Sequence, residues 1–297
     1  MSAAISVVIV NYNAGRLLLR CVELLRICPL EMEIIVVDNA SADGSLDALR
    51  GLPCVRIIES PVNMGFAAAC NCGARVASAP FLLFLNPDCF IKPGALERLL
   101  EALRADESAG MAGGLLVNLD GTEQAGGRRA VPTPWRSFVR AFGLAHFSDR
   151  WPRLFFDFHL HRQPLPERAI EVEAISGACM MVRREAMHEV GAWDEGYFLH
   201  CEDLDWCMRF RQTGWNILFV PSAKITHAHG ACSKNRPIFV EWHKHKGMLR
   251  FYKKFFRHQY PGLLMWLVAS GVWLRFALIA SCHMGKQIGR YFGGTRA

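Results

Sequence analysis

Short aliphatic runs alternate with helix-length amphipathic stretches up to residue 117. Ile5–Val10, Glu33–Val37, Val55–Ile58, Phe81–Leu85 and Met111–Val117 have the length and β-branched content of strands. Between them, Ala14–Ile27, Ser45–Leu49, Phe66–Ala77 and Gly94–Ala105 read as helices, and Pro80 and Pro93 stand where a strand and a helix should begin. This rhythm predicts an α/β fold with a mostly parallel central sheet and helices on both faces. In such sheets ligands bind beyond the carboxyl ends of the strands. The residues that follow each run are therefore the first place to look for chemistry.

Those residues are polar. The first run ends in Asn11-Tyr12-Asn13 and the second in Asp38-Asn39-Ala40-Ser41. Asn63-Met64-Gly65 follows the third, and Asn86-Pro87-Asp88 follows the fourth. A single Asp after a strand is ordinarily a helix cap, but four successive strands delivering Asn or Asp to one edge suggest a site. At a strand end, Asp38 can accept a hydrogen bond from the N3–H of uracil or thymine, although capping by Asp38, Ser41 or Asp43 is the plainer reading. Asp88 suits a divalent cation that shares its other oxygens with a diphosphate; its plainer reading is a Pro-Asp turn.

Residues 118–168 carry few strand signals, and Gly126-Gly127, Arg128-Arg129, Pro132 and Pro134 suggest a mobile loop with a short aromatic helix. A second compact block runs from Ile170 to His229. Within it, Glu202-Asp203-Leu204-Asp205 opens a helix, where acids complement the dipole. The apolar neighbours of Asp205 suggest partial burial, a raised pKa and a general base. His227 and His229 point the same way if they lie on a strand. Cys232 and the Cys70/Cys72 and Cys201/Cys207 pairs lack the paired spacing of a structural zinc site.

Charge changes the picture at the carboxyl end. The net charge is +7, yet twelve Lys/Arg and one acid, Glu241, lie from Lys234 onward, so the rest of the chain is mildly acidic. Basic residues and aromatics interleave over a predicted helix at 237–258, and an apolar segment follows at Leu263–Met284. The first suits a helix lying on anionic lipid, with a solvated helix packing its aromatics on the core as the alternative. The second carries Arg275 in its middle, at roughly 2.5–3.5 kcal/mol for a full span, so a shallow in-plane helix is preferred. Basic-plus-aromatic composition also suits nucleic acid, but no nucleic-acid module accompanies it and none is expected as a partner. Eleven cysteines without a framework spacing point to reduced thiols, and no secretion signal is expected at the start.

In order along the chain, Val7 to Asn13, Val36 to Ser41, Asn63-Met64-Gly65-Phe66-Ala67 with Asn71 and Gly73, Phe84 to Asp88, Ser176 to Cys179, Phe198 to Asp205 and His227 resemble the family 2 glycosyltransferases of the GT-A fold. The Asn63 loop and Asn86-Pro87-Asp88 resemble the rhamnosyltransferase-like branch in particular. The resemblance implies a GT-A domain over 1–235, with a nucleotide-binding half (1–117) and an acceptor half (118–235), and a membrane-associating helical region over 236–297.

It further implies that Asp38 binds the base while Asn11 and Tyr12 line the nucleotide pocket. Asn63, Gly65 and Asn71 would approach ribose and diphosphate, and Asn86 would stand beside them. Asp88 and His227 would hold Mg2+ or Mn2+. Asp203 would be the catalytic base supported by Glu202 or Asp205, with Trp193, Asp194 and Glu195 shaping the acceptor side. One departure is Asn86, where the family's Asp-x-Asp motif has its first acid. The implied reaction is inverting transfer, with L-rhamnose from dTDP-rhamnose as the best donor, onto a polyprenyl-diphosphate-linked sugar or polysaccharide at the cytoplasmic face of the inner membrane. A UDP-sugar donor and a non-catalytic nucleotide-sugar-binding subunit are the alternatives; the intact acidic set speaks against the second. A nucleotidyltransferase would need a Gly-rich basic phosphate loop, for which Asn13 to Arg16 is a poor candidate.

Overall fold

The computed structural model describes residues 3–148, 150–228 and 236–293, with side chains as far as residue 285. His229 and Cys232 lie outside the described residues. The first half runs β1 (Ile5–Asn11), α1 (Arg16–Arg26), β2 (Met32–Asp38), β3 (Val55–Glu59), α2 (Phe66–Val76), β4 (Phe81–Leu85), β5 (Cys89–Ile91), α3 (Ala95–Ala105) and β6 (Ala109–Val117). The second half runs β7 (Arg128–Arg129), α4 (Pro134–Ala141), β8 (Ile170–Glu171), β9 (Ala174–Ile175), β10 (Cys179–Arg183), α5 (Arg184–Val190), α6 (Glu202–Gln212), β11 (Asn216–His227), α7 (Pro237–Phe255) and α8 (Gly262–Gly293).

The main sheet has the order β3-β2-β1-β4-β10-β6-β11-β5, with β8 beside β11. β3, β2, β1 and β4 are mutually parallel, as are β6 and β11, while β10, β5 and β8 run antiparallel to their neighbours. The chain leaves β1 toward β2 and β3, then returns to place β4 on the other side. Strand order therefore reverses between β1 and β4, the position where open α/β sheets form a ligand crevice. β1 is buried throughout. Its Ile5, Val7 and Ile9 enter one core with Leu18, Leu25, Leu99 and Leu103, and Val8 enters the other with Phe84, Trp206 and Phe251. This two-sided burial is why its sequence is apolar at nearly every position instead of alternating.

Three expectations change. Residues 45–49 form successive turns rather than a helix. Gly44 and Gly51, both at positive φ, bound this stretch and leave it too short to repay helix nucleation. The 118–168 segment is tied down: β7 pairs with β9, Ala130 N–H donates to Phe158 O, and the Arg128 guanidinium is buried against Glu123 and the carbonyl of Gln163.

α7 is the third. Phe251, Tyr252 and Phe256 are buried in the α2/α6 core, and Tyr252 Oη donates to Ser137 Oγ on α4 at 2.7 Å. Arg250 and Lys254 pair with Asp194, and Lys254 also with Asp205. The aromatic face that suits lipid is thus largely turned inward, leaving Phe239 and Trp242 exposed. α8 differs: Gly262–Gly285 is long and apolar enough to cross a membrane, and Ala280 is its one buried residue.

Because α7 is core, Phe251→Ala should lower stability by ~3–5 kcal/mol, read as a fall in thermal midpoint. A loss within ~0.5 kcal/mol, as for a surface position, would mean that α7 is peripheral.

Candidate active site

The carboxyl ends of β1 and β2 build one pocket. Asn11 is fully buried and its Nδ2 donates to Asp38 Oδ1 at 2.7 Å, Ser45 Oγ at 2.8 Å and Ser41 Oγ at 3.0 Å. An amide nitrogen has two hydrogens, so three acceptors share them. Asp38 Oδ2 accepts the Ser41 N–H, and the side chain is 4% exposed. Asn11 therefore acts through Asp38, holding it rather than lining open space. Tyr12 is half-buried just beyond the strand. Asn39, which the motif reading passed over, ties β2 to the next loop: its Nδ2 donates to Asn63 Oδ1 and Gly65 O, and its Oδ1 accepts Met64 N–H.

The Asn63–Asn71 stretch packs on the 193–198 loop. Gly65 has φ of +88°, and a Cβ there would sit 2.7 Å from Phe198 O. The close approach that demands glycine here is to the 193–198 loop. Phe66 N–H donates to the same Phe198 carbonyl. Asn71 is 5% exposed and spends both ends of its amide on that loop, with Oδ1 accepting Trp193 N–H and Nδ2 donating to Trp193 O and Glu195 Oε1. Both hydrogens of the buried amide are committed to that loop. Asn63 keeps Oδ1 on Asn39 and Gly65 and is half-buried.

Asp88 and His227 come together from β4–β5 and the end of β11. His227 Nε2 lies 3.3 Å from Asp88 Oδ1, and both side chains are 6% exposed. His227 Nδ1 lies 2.7 Å from Gln124 Oε1, whose orientation is set by Nε2 donating to Asn118 Oδ1. With Nδ1–H given to Gln124, the Nε2 lone pair faces a carboxylate oxygen. Two acceptors facing each other suit a cation between them. Cys89 completes a group of possible ligands, but burial pushes its thiol up and it donates to Ala178 O, so it is a poor ligand for a hard cation.

Residues 177 and 178 join this pair to the acids of α6. Ala178 O accepts Asn86 N–H at 2.9 Å and the Cys89 thiol, while Gly177 N–H donates to Asp203 Oδ2 at 3.1 Å. A Cβ on Gly177 would meet Asp203 Cβ at 3.2 Å. Arg129 of β7 forms an ion pair with Asp203 Oδ2, and Oδ1 accepts Leu204 N–H. Asp203 keeps partial exposure, with 15% of its side chain reaching solvent.

Its neighbours do not. Glu202 is buried with Oε2 unpartnered among the described residues, and burial first, then the Asp203 charge, raises its pKa to about 8. Asp205 is fully buried and paired with Arg209 and Lys254, so it braces α6 against α7 instead of offering a free base. Asp194 likewise anchors α7 through Arg250 and Lys254, which hold its pKa down at about 2 against the opposing effect of burial. Trp193 is buried against Phe66, Phe84 and Trp206, with only the ring edge approaching Gly177.

The sequence model of glycosyl transferase family 2 matches residues 6–191, and a related family group 2 model matches 121–284. The chain belongs to glycosyltransferase family 2. It is 30% identical over 249 residues to an N-acetylglucosaminyl-diphospho-decaprenol L-rhamnosyltransferase of Mycobacterium tuberculosis, covering 80% of this chain and 79% of that one. Rhamnosyltransferase WbbL of Escherichia coli is 28% identical over 57% of this chain and 60% of its own. Among solved structures, a Pyrobaculum calidifontis mannosyltransferase in complex with GDP-Man and Mn2+ superposes with a TM-score of 0.59 at 15% identity, over 97% of this chain and 81% of that one. The glycosyltransferase has the GT-A architecture, a mixed α/β sheet with mostly parallel strands, and ends in an apolar helix.

Two outcomes follow. A carboxyl whose folded pKa is raised costs nothing below its unfolded value near 4.5, and the penalty grows with pH until it is complete above about 8. Glu202→Gln should therefore raise the thermal midpoint more at pH 9 than at pH 5; an equal shift at both would contradict the buried, proton-holding state. Asn71→Leu should cost stability, by ~1–3 kcal/mol for the unpaired loop groups it leaves, with donor affinity unchanged in calorimetry. A selective loss of donor binding would restore Asn71 to the nucleotide pocket.

Proposed function

We propose that the enzyme transfers L-rhamnose from dTDP-rhamnose, with inversion, to a sugar carried on a polyprenyl diphosphate in envelope glycan assembly. The observation that supports it most is the 30% identity to the mycobacterial L-rhamnosyltransferase over four-fifths of both chains, joined to a site with one acid at each required place. Asp38, held by Asn11, accepts N3–H of the thymine, and Tyr12 and Asn63 flank the nucleotide. Asp88 and His227 would hold Mg2+ or Mn2+, and such a cation would supply electrostatic stabilisation of the diphosphate leaving group. Asn86 has no carboxylate to add, so this pair supplies one negative charge.

Asp203 is the base. Gly177 N–H and Arg129 fix its Oδ2 and Leu204 N–H its Oδ1, which aims the carboxylate before substrate arrives. It takes the proton of the acceptor hydroxyl as that oxygen attacks the anomeric carbon from the face opposite the diphosphate. The bond to the leaving oxygen breaks in the same displacement, and the product is inverted. Glu202 stays protonated below about pH 8, which spares Asp203 a second adjacent negative charge. A lipid acceptor and the exposed α8 support a reaction at a membrane surface, which we assign to the cytoplasmic face.

Product analysis by mass spectrometry and NMR, with dTDP-rhamnose and a polyprenyl-diphosphate-GlcNAc acceptor, tests this directly. Turnover with inverted configuration, reduced ~100–10,000-fold in kcat by Asp203→Asn, is expected. Turnover with UDP-sugars alone would move the donor and keep the mechanism. No turnover with any nucleotide-sugar would favour a binding subunit.

A further inference from the structure

The 134–155 strap carries an exposed aromatic surface that the reaction does not use. Trp135, Phe138, Phe142, Phe147, Trp151 and Leu154 are each 39–68% exposed. They are not scattered. Trp135 stacks on Phe138 with ring centres 5.5 Å apart, Phe138 packs on Phe142 at 4.5 Å, and Phe147 on Trp151 at 6.2 Å. Trp135 Nε1–H donates to Leu154 O, joining the two ends of the strap. A contiguous aromatic patch of this kind on a protein surface marks a contact site.

Position and charge indicate what covers it. Trp135, Pro152, Arg153 and Leu154 share a cleft with Tyr260, two residues before α8 begins, so the patch adjoins the root of the helix long enough to enter a bilayer. Arg150 and Arg153 are exposed within it, and Arg150 lies over the Trp151 ring, where a cation and an amphipathic indole together match a headgroup layer. On α7, which touches the strap through Tyr252 and Ser137, and just past its end, Lys246, Lys253 and Arg257 are exposed and form no ion pair among the described residues. Aromatics at interfacial depth with cations beside them are the composition that binds anionic lipid.

We infer that the 134–155 strap is a second membrane-contact element, seated in the headgroup layer of an anionic bilayer beside the root of α8. This rests on the membrane reading of α8 proposed above. The strap is also the segment that follows Arg129, the partner of Asp203. A bilayer that seats the strap would therefore hold the base in register with an acceptor whose diphosphate lies at the same depth.

Hydrogen exchange of the full chain in nanodiscs of phosphatidylcholine, with and without phosphatidylglycerol, against the chain in detergent, tests it. Slowed exchange in 134–155 and 262–285 on anionic discs is expected, with the strap protection weakened on neutral ones. Protection of 262–285 alone would overturn the strap and leave the α8 reading intact; protection of neither would overturn both. Combined Phe142→Ser, Phe147→Ser and Trp151→Ser, all at exposed positions, should remove strap protection and raise KM for the lipid acceptor several-fold with donor KM unchanged. Unchanged acceptor KM despite lost protection would deny the strap its role in acceptor presentation.

Discussion

The arrangement of the site hangs on one short piece of backbone. At residues 177 and 178, an N–H and a carbonyl face opposite ways: the first holds Asp203 at the start of α6, the second holds Asn86 and Cys89 around Asp88. The candidate base and the candidate cation pair thus share a rigid link across two peptide units, although 115 residues separate Asp88 from Asp203 in the chain. Glycine at 177 is what lets α6 approach, since any Cβ would press on Asp203. Because β10 follows at once and is paired on both edges, by β4 and β6, the link cannot drift without breaking the middle of the sheet.

A second constraint locks the second half of the domain to the first. Asn71 and Gly65 of the α2 region grip the 193–198 loop, and Asp194 in that loop grips α7. Charge that looks available in the sequence is consumed here. Asp194, Asp205, Arg250 and Lys254 form one network that fastens α7 to the domain. The same helix leads into α8, so the apolar α8 is coupled by packing to the helix that carries Asp203.

The alternation of strands and helices and the mostly parallel sheet were legible, because buried parallel strands are written as continuous aliphatic runs, with the candidate site residues falling just past them. What a strand-end motif does not reveal is which way a polar side chain spends its hydrogen bonds. Asn71 and Asp194 spend their hydrogen bonds on partners 122 and 56 residues away. Gln124, Asn39 and Arg129 left no local signal, since each matters through a long-range partner. α7 misled for a related reason: aromatics at helical spacing serve a lipid surface and a protein core equally well, and only the neighbouring elements decide.

The central claim is that Asp88 and His227 form the cation site at which the diphosphate leaves. Electron spin-echo envelope modulation of Mn2+ bound to the protein with dTDP tests it most directly. The account predicts nitrogen modulation from a ligated imidazole together with phosphorus coupling from the diphosphate, the nitrogen signal vanishing in His227→Leu. Phosphorus coupling with no nitrogen signal in the unaltered protein would place the cation away from His227 and contradict the site as drawn.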